Sequence, residues 1–276
     1  MNNPWNSRRP SVRPPRATPP AHSAGRGEGG EGPVRGNDEL RLYGVNAVLA
    51  MFARRPQALR KLYLAEALIP RVQPLLKWCV ANRVGYRVVA EGDLNKLAAT
   101  THHEGVVADV LRAEPLPLAT WLDALGDGSA LALWLDGVGN PHNFGAILRS
   151  AAHFGVAGIL LPAESSLGLS GAAARVAEGG AEHVPLVRLP ALPQALAQLR
   201  NAGFALAATL VEGGNDVFAT RLPARMVYVM GAEGEGMDRG FAQSCDLQLS
   251  IPGTGAVESL NVAAATAVFL SGWQRR

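Results

Sequence analysis

The sequence predicts an α/β protein with two folded parts, a small α/β unit over residues 38–112 and a larger open α/β sheet over 131–276. Three observations carry this. From Leu40 onward, short strand-like runs alternate with segments of helical period. In the second half those runs are apolar almost throughout, as where helices cover both faces of a parallel sheet. Residues 1–37, by contrast, hold seven prolines and six glycines with few large apolar side chains. Such a segment cannot bury enough surface to offset its ordering entropy, so it reads as a disordered tail.

In chain order, "GVNAVLAMFARR" has helical spacing, "KLYLAE" reads as a strand, and "PRVQPLLKWCVANRVG" as a helix ending at Gly85. "YRVVA" is a strand, "EGDLNKLAAT" a short helix and "GVVADVL" a strand. Prolines and glycines bracket the one periodic stretch of residues 113–130, which reads as a linker with a short helix. Beyond it "LALWLDGV", "GILLP", "HVPLVRLP", "FALAATLV", "RMVYVMG" and "LQLSIPG" are the strands, with helical segments between them. Open sheets of this kind bind ligands at the carboxyl ends of their strands.

Composition narrows the function. Cys79 and Cys245 lie far apart and form no CxxC, which argues against a disulfide framework or a zinc knuckle and fits a reducing cytoplasm. No apolar run is long enough to span a bilayer, and no hydrophobic segment follows the N-terminal arginines, so neither secretion nor membrane insertion is expected. The net charge of +3 is uneven: residues 1–37 carry six arginines against Glu28 and Glu31, leaving 20 basic and 21 acidic groups in the remainder. An arginine-rich tail either adds salt-sensitive affinity for nucleic acid or serves only as a solubilising leader. His142 and His153 are eleven residues apart, about 16 Å along a helix, too far to share one metal.

Three motifs carry chemistry, and each follows a strand. In "NPHNFGAILRSAAHFG" (140–155), Asn143 is a candidate helix cap and Gly145 permits close backbone approach. Arg149 lies on a helix of small apolar residues; if buried, it needs a partner, because an unpaired buried charge costs several kcal/mol or more. The partner is either a carboxylate such as Glu178 or Glu233, or a ligand phosphate or developing oxyanion. In "VYVMGAEGEGM" (227–237) the glycines are spaced GxxGxG, with no Lys-Ser/Thr following, so neither a dinucleotide turn nor a phosphate loop is matched. Glu233 and Glu235 suit a cationic or hydroxyl-rich ligand, or a solvated turn. In "LSIPGTGAVESLNVAAATAVFLSGW" (249–273), Glu258 and Ser259 are expected to start a helix with Asn261 in its first turn, which alone is an ordinary capped helix.

Jointly and in this order the motifs resemble those of the SpoU/TrmH family of the SPOUT class, S-adenosylmethionine-dependent RNA ribose 2′-O-methyltransferases. The resemblance covers residues 131–276. The smaller unit, ending in "HHEGVVADV", is similar to the ribosomal-protein-like substrate-binding domain of many members. The resemblance implies a C-terminal trefoil knot, with adenosylmethionine held against the backbone of Gly231, Ile251 and Leu260. It implies functional roles for Asn143, Arg149, Glu233, Ser259 and Asn261, and a homodimer whose active site is completed across the interface. The implied substrate is tRNA or rRNA in the cytoplasm, with no membrane partner. Asn140 stands where the family often has Asp, and "HEG" (103–105) replaces a common "HQG", changes expected to bear on substrate contacts. The alternative function is an RNA-binding or assembly factor with the same fold and a vestigial cofactor pocket. A dinucleotide-dependent enzyme would need an early GxGxxG turn, which the sequence lacks.

Overall fold

The computed structural model describes residues 38–231 and 236–274. The tail over 1–37 and the predicted site residue Glu233 lie outside them.

The N-terminal elements are β1 (Glu39–Tyr43), α1 (Val45–Arg54), β2 (Leu59–Leu64), α2 (Gln73–Ala81), β3 (Gly85–Val88), α3 (Glu91–Ala98) and β4 (Val106–Leu111). Their four strands form one sheet in the order β1-β4-β2-β3, with β4 antiparallel to both neighbours and β2 parallel to β3. Strand β1 was not among the expected elements, yet ELRLY alternates as a half-buried strand must. Leu40 and Leu42 enter the core, while Arg41 points away and pairs with Asp109 directly across on β4 at 2.7 Å.

The C-terminal elements are β5 (Leu116–Pro117), α4 (Leu118–Ala124), β6 (Ala130–Leu135), α5 (Pro141–His153), β7 (Gly158–Leu161), α6 (Gly171–Val176), β8 (Leu186–Arg188), α7 (Leu192–Asn201), β9 (Ala205–Leu210), β10 (Asn215–Asp216), β11 (Arg225–Met230), α8 (Arg239–Ser244), β12 (Leu247–Ser250) and α9 (Val262–Gln274). Eight strands make an all-parallel sheet in the order β10-β12-β9-β11-β6-β7-β8-β5. The apolar runs have the predicted cause. Leu131, Leu133, Tyr228 and Met230 face one core with α5 and α9, while Ala132, Trp134, Val227 and Val229 face a second core with α7 and α8. With both faces covered, the positions along these strands are taken almost entirely by apolar side chains.

The stretch expected to be a linker does contain its short helix, α4, but it is anchored. Trp121 is buried and its indole N–H donates to Ala157 O at 3.0 Å. Gly158 accommodates that ring, since a Cβ there would sit 2.7 Å from the indole nitrogen.

Polar contacts join the small sheet to the large one, and the whole of Gly36–Arg276 forms one unit. Arg55 makes a two-pronged pair with Glu182 at 2.7 and 2.9 Å and donates its remaining arm to Leu111 O at 2.5 Å. The carboxylate side chain is only 8% exposed, so removing the arginine strands a charge. Arg55→Ala should lower stability by roughly 3 kcal/mol, read from urea unfolding. The "HEG" residues belong to the same junction. His103 is buried against Asn95, while Glu104 accepts from Val45 N at 2.9 Å and pairs with Arg175 at 3.0 Å.

Candidate active site

All three motifs lie at the carboxyl edge of the large sheet, and its strand order brings them together. The loop after β6 opens the first, the loop after β11 the second and the loop after β12 the third. These strands sit within three spacings of one another (β12-β9-β11-β6), about 14 Å at the usual strand separation. The backbone ties the first two further: Asp136 N donates to Met230 O at 2.9 Å.

Helix α5 is capped by Asn140, not by Asn143 as expected. The Asn140 side chain accepts from His142 N at 2.8 Å and Asn143 N at 3.4 Å, with Pro141 at the first helical position where its missing N–H costs nothing. Asn143 instead makes a tertiary contact. Its Oδ1 accepts from Asn261 Nδ2 at 3.1 Å, joining residues 118 apart. Asn261 in turn caps α9, accepting from Ala263 N at 2.9 Å and Ala264 N at 3.4 Å. This corrects the predicted helix start: α9 begins at Val262, and Glu258 and Ser259 lie in an exposed loop. Gly145 does permit close approach, because a Cβ there would meet Ala173 O at 2.5 Å and Val176 Cβ at 2.8 Å.

Arg149 is exposed rather than buried. Helix α5 turns Phe144, Gly145, Ile147, Leu148 and Ala151 inward, and position 149 falls off that stripe. Glu178, one carboxylate considered for it, instead accepts from Asn46 Nδ2 at 2.5 Å. Among the described residues no hydrogen bond or ion pair holds the Arg149 guanidinium. It lies six residues along the helix from Asn143, about 9 Å along the axis and about 120° around it. A single copy of α5 therefore does not aim both side chains at one point.

Gly231 marks the end of β11, and a Cβ there would lie 2.9 Å from both the Gly236 carbonyl carbon and Met237 N. Only glycine lets the chain fold back so closely. Ile251 is half-buried, Leu260 is 48% exposed and Ser259 is exposed. Sequence reading did not single out Asp136, whose carboxyl is pushed above the usual carboxylate range, first by burial and then by the charges of Glu164 and Asp238.

Comparison with known proteins sets this geometry in context. Residues 130–271 match the SpoU rRNA Methylase family, and residues 41–116 match the RNA 2′-O ribose methyltransferase substrate-binding family. The chain is 38% identical over 239 residues to the uncharacterized tRNA/rRNA methyltransferase YfiF of Escherichia coli O157:H7, covering 87% of this chain and 69% of that one. It is 39% identical over 235 residues to the 23S rRNA (guanosine-2′-O-)-methyltransferase RlmB of Bordetella pertussis, covering 83% and 94% respectively. The fold is similar to that of an AdoMet-bound rRNA methyltransferase from Sinorhizobium meliloti, with TM-score 0.72 and 24% identity over 86% of this chain and 87% of the other. A family match over just over half of the chain, joined by relatives aligned along most of both lengths, gives the shared ancestry: the chain belongs to the SpoU rRNA methylase family.

Proposed function

We propose that the protein transfers a methyl group from S-adenosylmethionine to a ribose 2′-hydroxyl of rRNA or tRNA in the cytoplasm. The observation that carries this reading is the Asn143–Asn261 contact, which locks the first and third motifs together at the carboxyl edge of the sheet. The relatives' activities support it, and so does the fit of the cofactor. The Gly231 and Ile251 backbones sit at the carboxyl ends of β11 and β12, on either side of β9, and Ile251 and Leu260 offer apolar surface for an adenine ring. We further propose that the chain after β11 threads as the family's trefoil knot, and that residues 38–112 form the RNA-binding domain, 113–130 its connection and 131–276 the catalytic domain.

Bound against Gly231, Ile251 and Leu260, the cofactor supplies an electrophilic sulfonium methyl. The chain must then align the 2′-oxygen with that carbon, with the thioether S-adenosylhomocysteine as leaving group, and tolerate the charge that builds as the hydroxyl proton passes to the adjacent phosphate or to water. Arginine is not deprotonated in proteins, so Arg149 holds the nucleophile and an adjacent phosphate and stabilises the developing oxyanion. Asn143 and Asn261 position the loop on which Ser259 and Leu260 lie, and the family resemblance assigns a functional role to Glu233 as well. The divergent bearings of Asn143 and Arg149 on α5 support a homodimer in which Arg149 enters the partner's site.

Calorimetric titration with S-adenosylmethionine tests the reading, with Gly231→Ala as the control, since a methyl group alone has no room there. Binding by the wild type that the variant loses supports a transferase. No binding, even with total RNA present, points to the RNA-binding factor with a vestigial pocket. The six arginines of residues 1–37 are proposed to add general RNA affinity. Deleting that segment should flatten the log Kd against log salt slope by as much as about 4, and an unchanged slope would count against the role.

A further inference from the structure

Helix α6 is a wedge between the two sheets. Ala173 and, just past the helix, Ala177 belong to the core of the large sheet, with Phe144 and Ile147 of α5. Ala174 belongs instead to the core of the small sheet, with Leu42 and Val48, and Leu169 packs against both cores. The backbones approach closely on either side. A Cβ at Gly171 would lie 2.5 Å from Arg41 O of β1, which mirrors the close approach of Gly145 on α5 to Ala173 O. A helix of six residues is too short to hold its own shape, so its place is set by what it packs against.

The turn that follows α6 carries this junction to Arg149. Gly179, at φ +91°, would place a Cβ 2.8 Å from Ala50 Cβ of α1. Its neighbour Gly180 would place one 2.9 Å from Leu148 O and 3.1 Å from Arg149 Cα. One thickness of backbone therefore lies between α1 of the small unit and the backbone of Arg149. Arginines pin the wedge to that unit. The stem of Arg175 lies across Gly44, its Nε donates to His102 O at 2.8 Å, and its other arm pairs with Glu104 at 3.0 Å. Arg112, just past β4, donates to Leu169 O at 2.6 Å. Close-packed elements move as bodies rather than yielding at each contact. A shift of the small unit is thus passed through α6 and the glycine turn to α5.

We propose that Arg175 is a positioning residue for methyl transfer. By holding α6 to the small unit it sets the placement of α5, and with it Arg149, so the unit that takes up the RNA also places the cation offered to the nucleophile. The inference rests on the methyltransferase reading above and adds a residue, outside all three motifs, on which the alignment depends.

The experiment measures initial rates of label transfer from radiolabelled S-adenosylmethionine, using full-length protein and varied amounts of total RNA from cells lacking the protein. Arg175→Ala removes both of the arginine's ties. The fold should survive, because the Arg175 and Glu104 side chains are 32% and 36% exposed and Glu104 keeps its bond from Val45 N. The unfolding midpoint and the calorimetric affinity for S-adenosylmethionine should therefore match the wild type. The value of kcat should fall roughly 10- to 100-fold, as for a small displacement of a reacting group, while KM for RNA stays within about twofold. Arg175→Lys keeps a charge opposite Glu104 without the second arm and should recover part of kcat. A wild-type kcat in Arg175→Ala would overturn the proposal. A raised KM with kcat unchanged would also overturn it, by making Arg175 a direct RNA contact. So would a fall in kcat no larger than the fall in the fraction of protein that binds S-adenosylmethionine, which marks a folding defect. Wild-type protein that labels no RNA defeats the methyltransferase reading itself, and the positioning role with it.

Discussion

Arg149→Ala should lower the rate of methyl transfer on the order of 10² to 10⁴ while leaving the fold intact. The two halves of this expectation have separate grounds. Stability is spared because Arg149 is exposed on α5 and, among the described residues, gives up no hydrogen bond or ion pair when truncated. Its replacement by alanine, the best helix former, even favours the helix slightly. The rate falls because the planar cation is the group offered to the nucleophile and its phosphate. Arg149→Lys should recover only part of the loss, as a point charge cannot make the two-pronged contact. The composite site adds a sharper consequence. If Arg149 acts in the partner's site, then mixing Arg149→Ala with a variant defective at Asn261 and allowing subunits to exchange should restore activity that neither has alone. An Arg149→Ala protein that transfers at the wild-type rate would remove the residue from the mechanism.

Position 149 also shows how much could be read before folding. Its neighbours are small, which invited the expectation of a buried cation, but Phe144, Ile147, Leu148 and Ala151 mark a helical stripe that excludes it. That signal was local and legible. So was the true cap of α5, since Pro141 favours the first helical turn and the residue before it, Asn140, must then be the cap. The strands of the large sheet were legible for the same kind of reason: apolar runs bounded by Gly and Pro admit few other readings. Strand β1 was obscured by its position directly after the Pro- and Gly-rich tail, although Leu40 and Leu42 alternate correctly. The two-residue strands β5 and β10 are too short to carry any period. What no local pattern holds is the meeting of Asn143 with Asn261, or of the two loops around Asp136. Both depend on strand order, which places β6 between β11 and β7 and brings β12 within three strands of it.

Asn261→Asp should separate the structural duty of this residue from its functional one. The Asn261 side chain has two tasks on its two ends. Its oxygen accepts from Ala263 N and Ala264 N at the start of α9, which fixes the orientation of the amide, and its nitrogen must then point at Asn143 Oδ1. Aspartate caps a helix about as well as asparagine and suits the positive end of its dipole, so stability should stay within about 0.5 kcal/mol of the wild type. The second carboxylate oxygen, however, faces the Asn143 carbonyl oxygen, and two acceptors repel where a donor and an acceptor had met. The first and third motifs lose their tie, and the loop bearing Ser259 and Leu260 shifts relative to α5. A displacement of about 1 Å near reacting atoms costs on the order of 10² in rate. Asn261→Ala loses the contact and the cap together, so it should show a similar rate loss with an added destabilisation of about 1 kcal/mol. Thermal unfolding and initial rates on the same preparations distinguish the two variants. Wild-type activity in Asn261→Asp would mean that the amide pair serves only to start a helix, and the case for this edge of the sheet as the reacting site would lose its main geometric support.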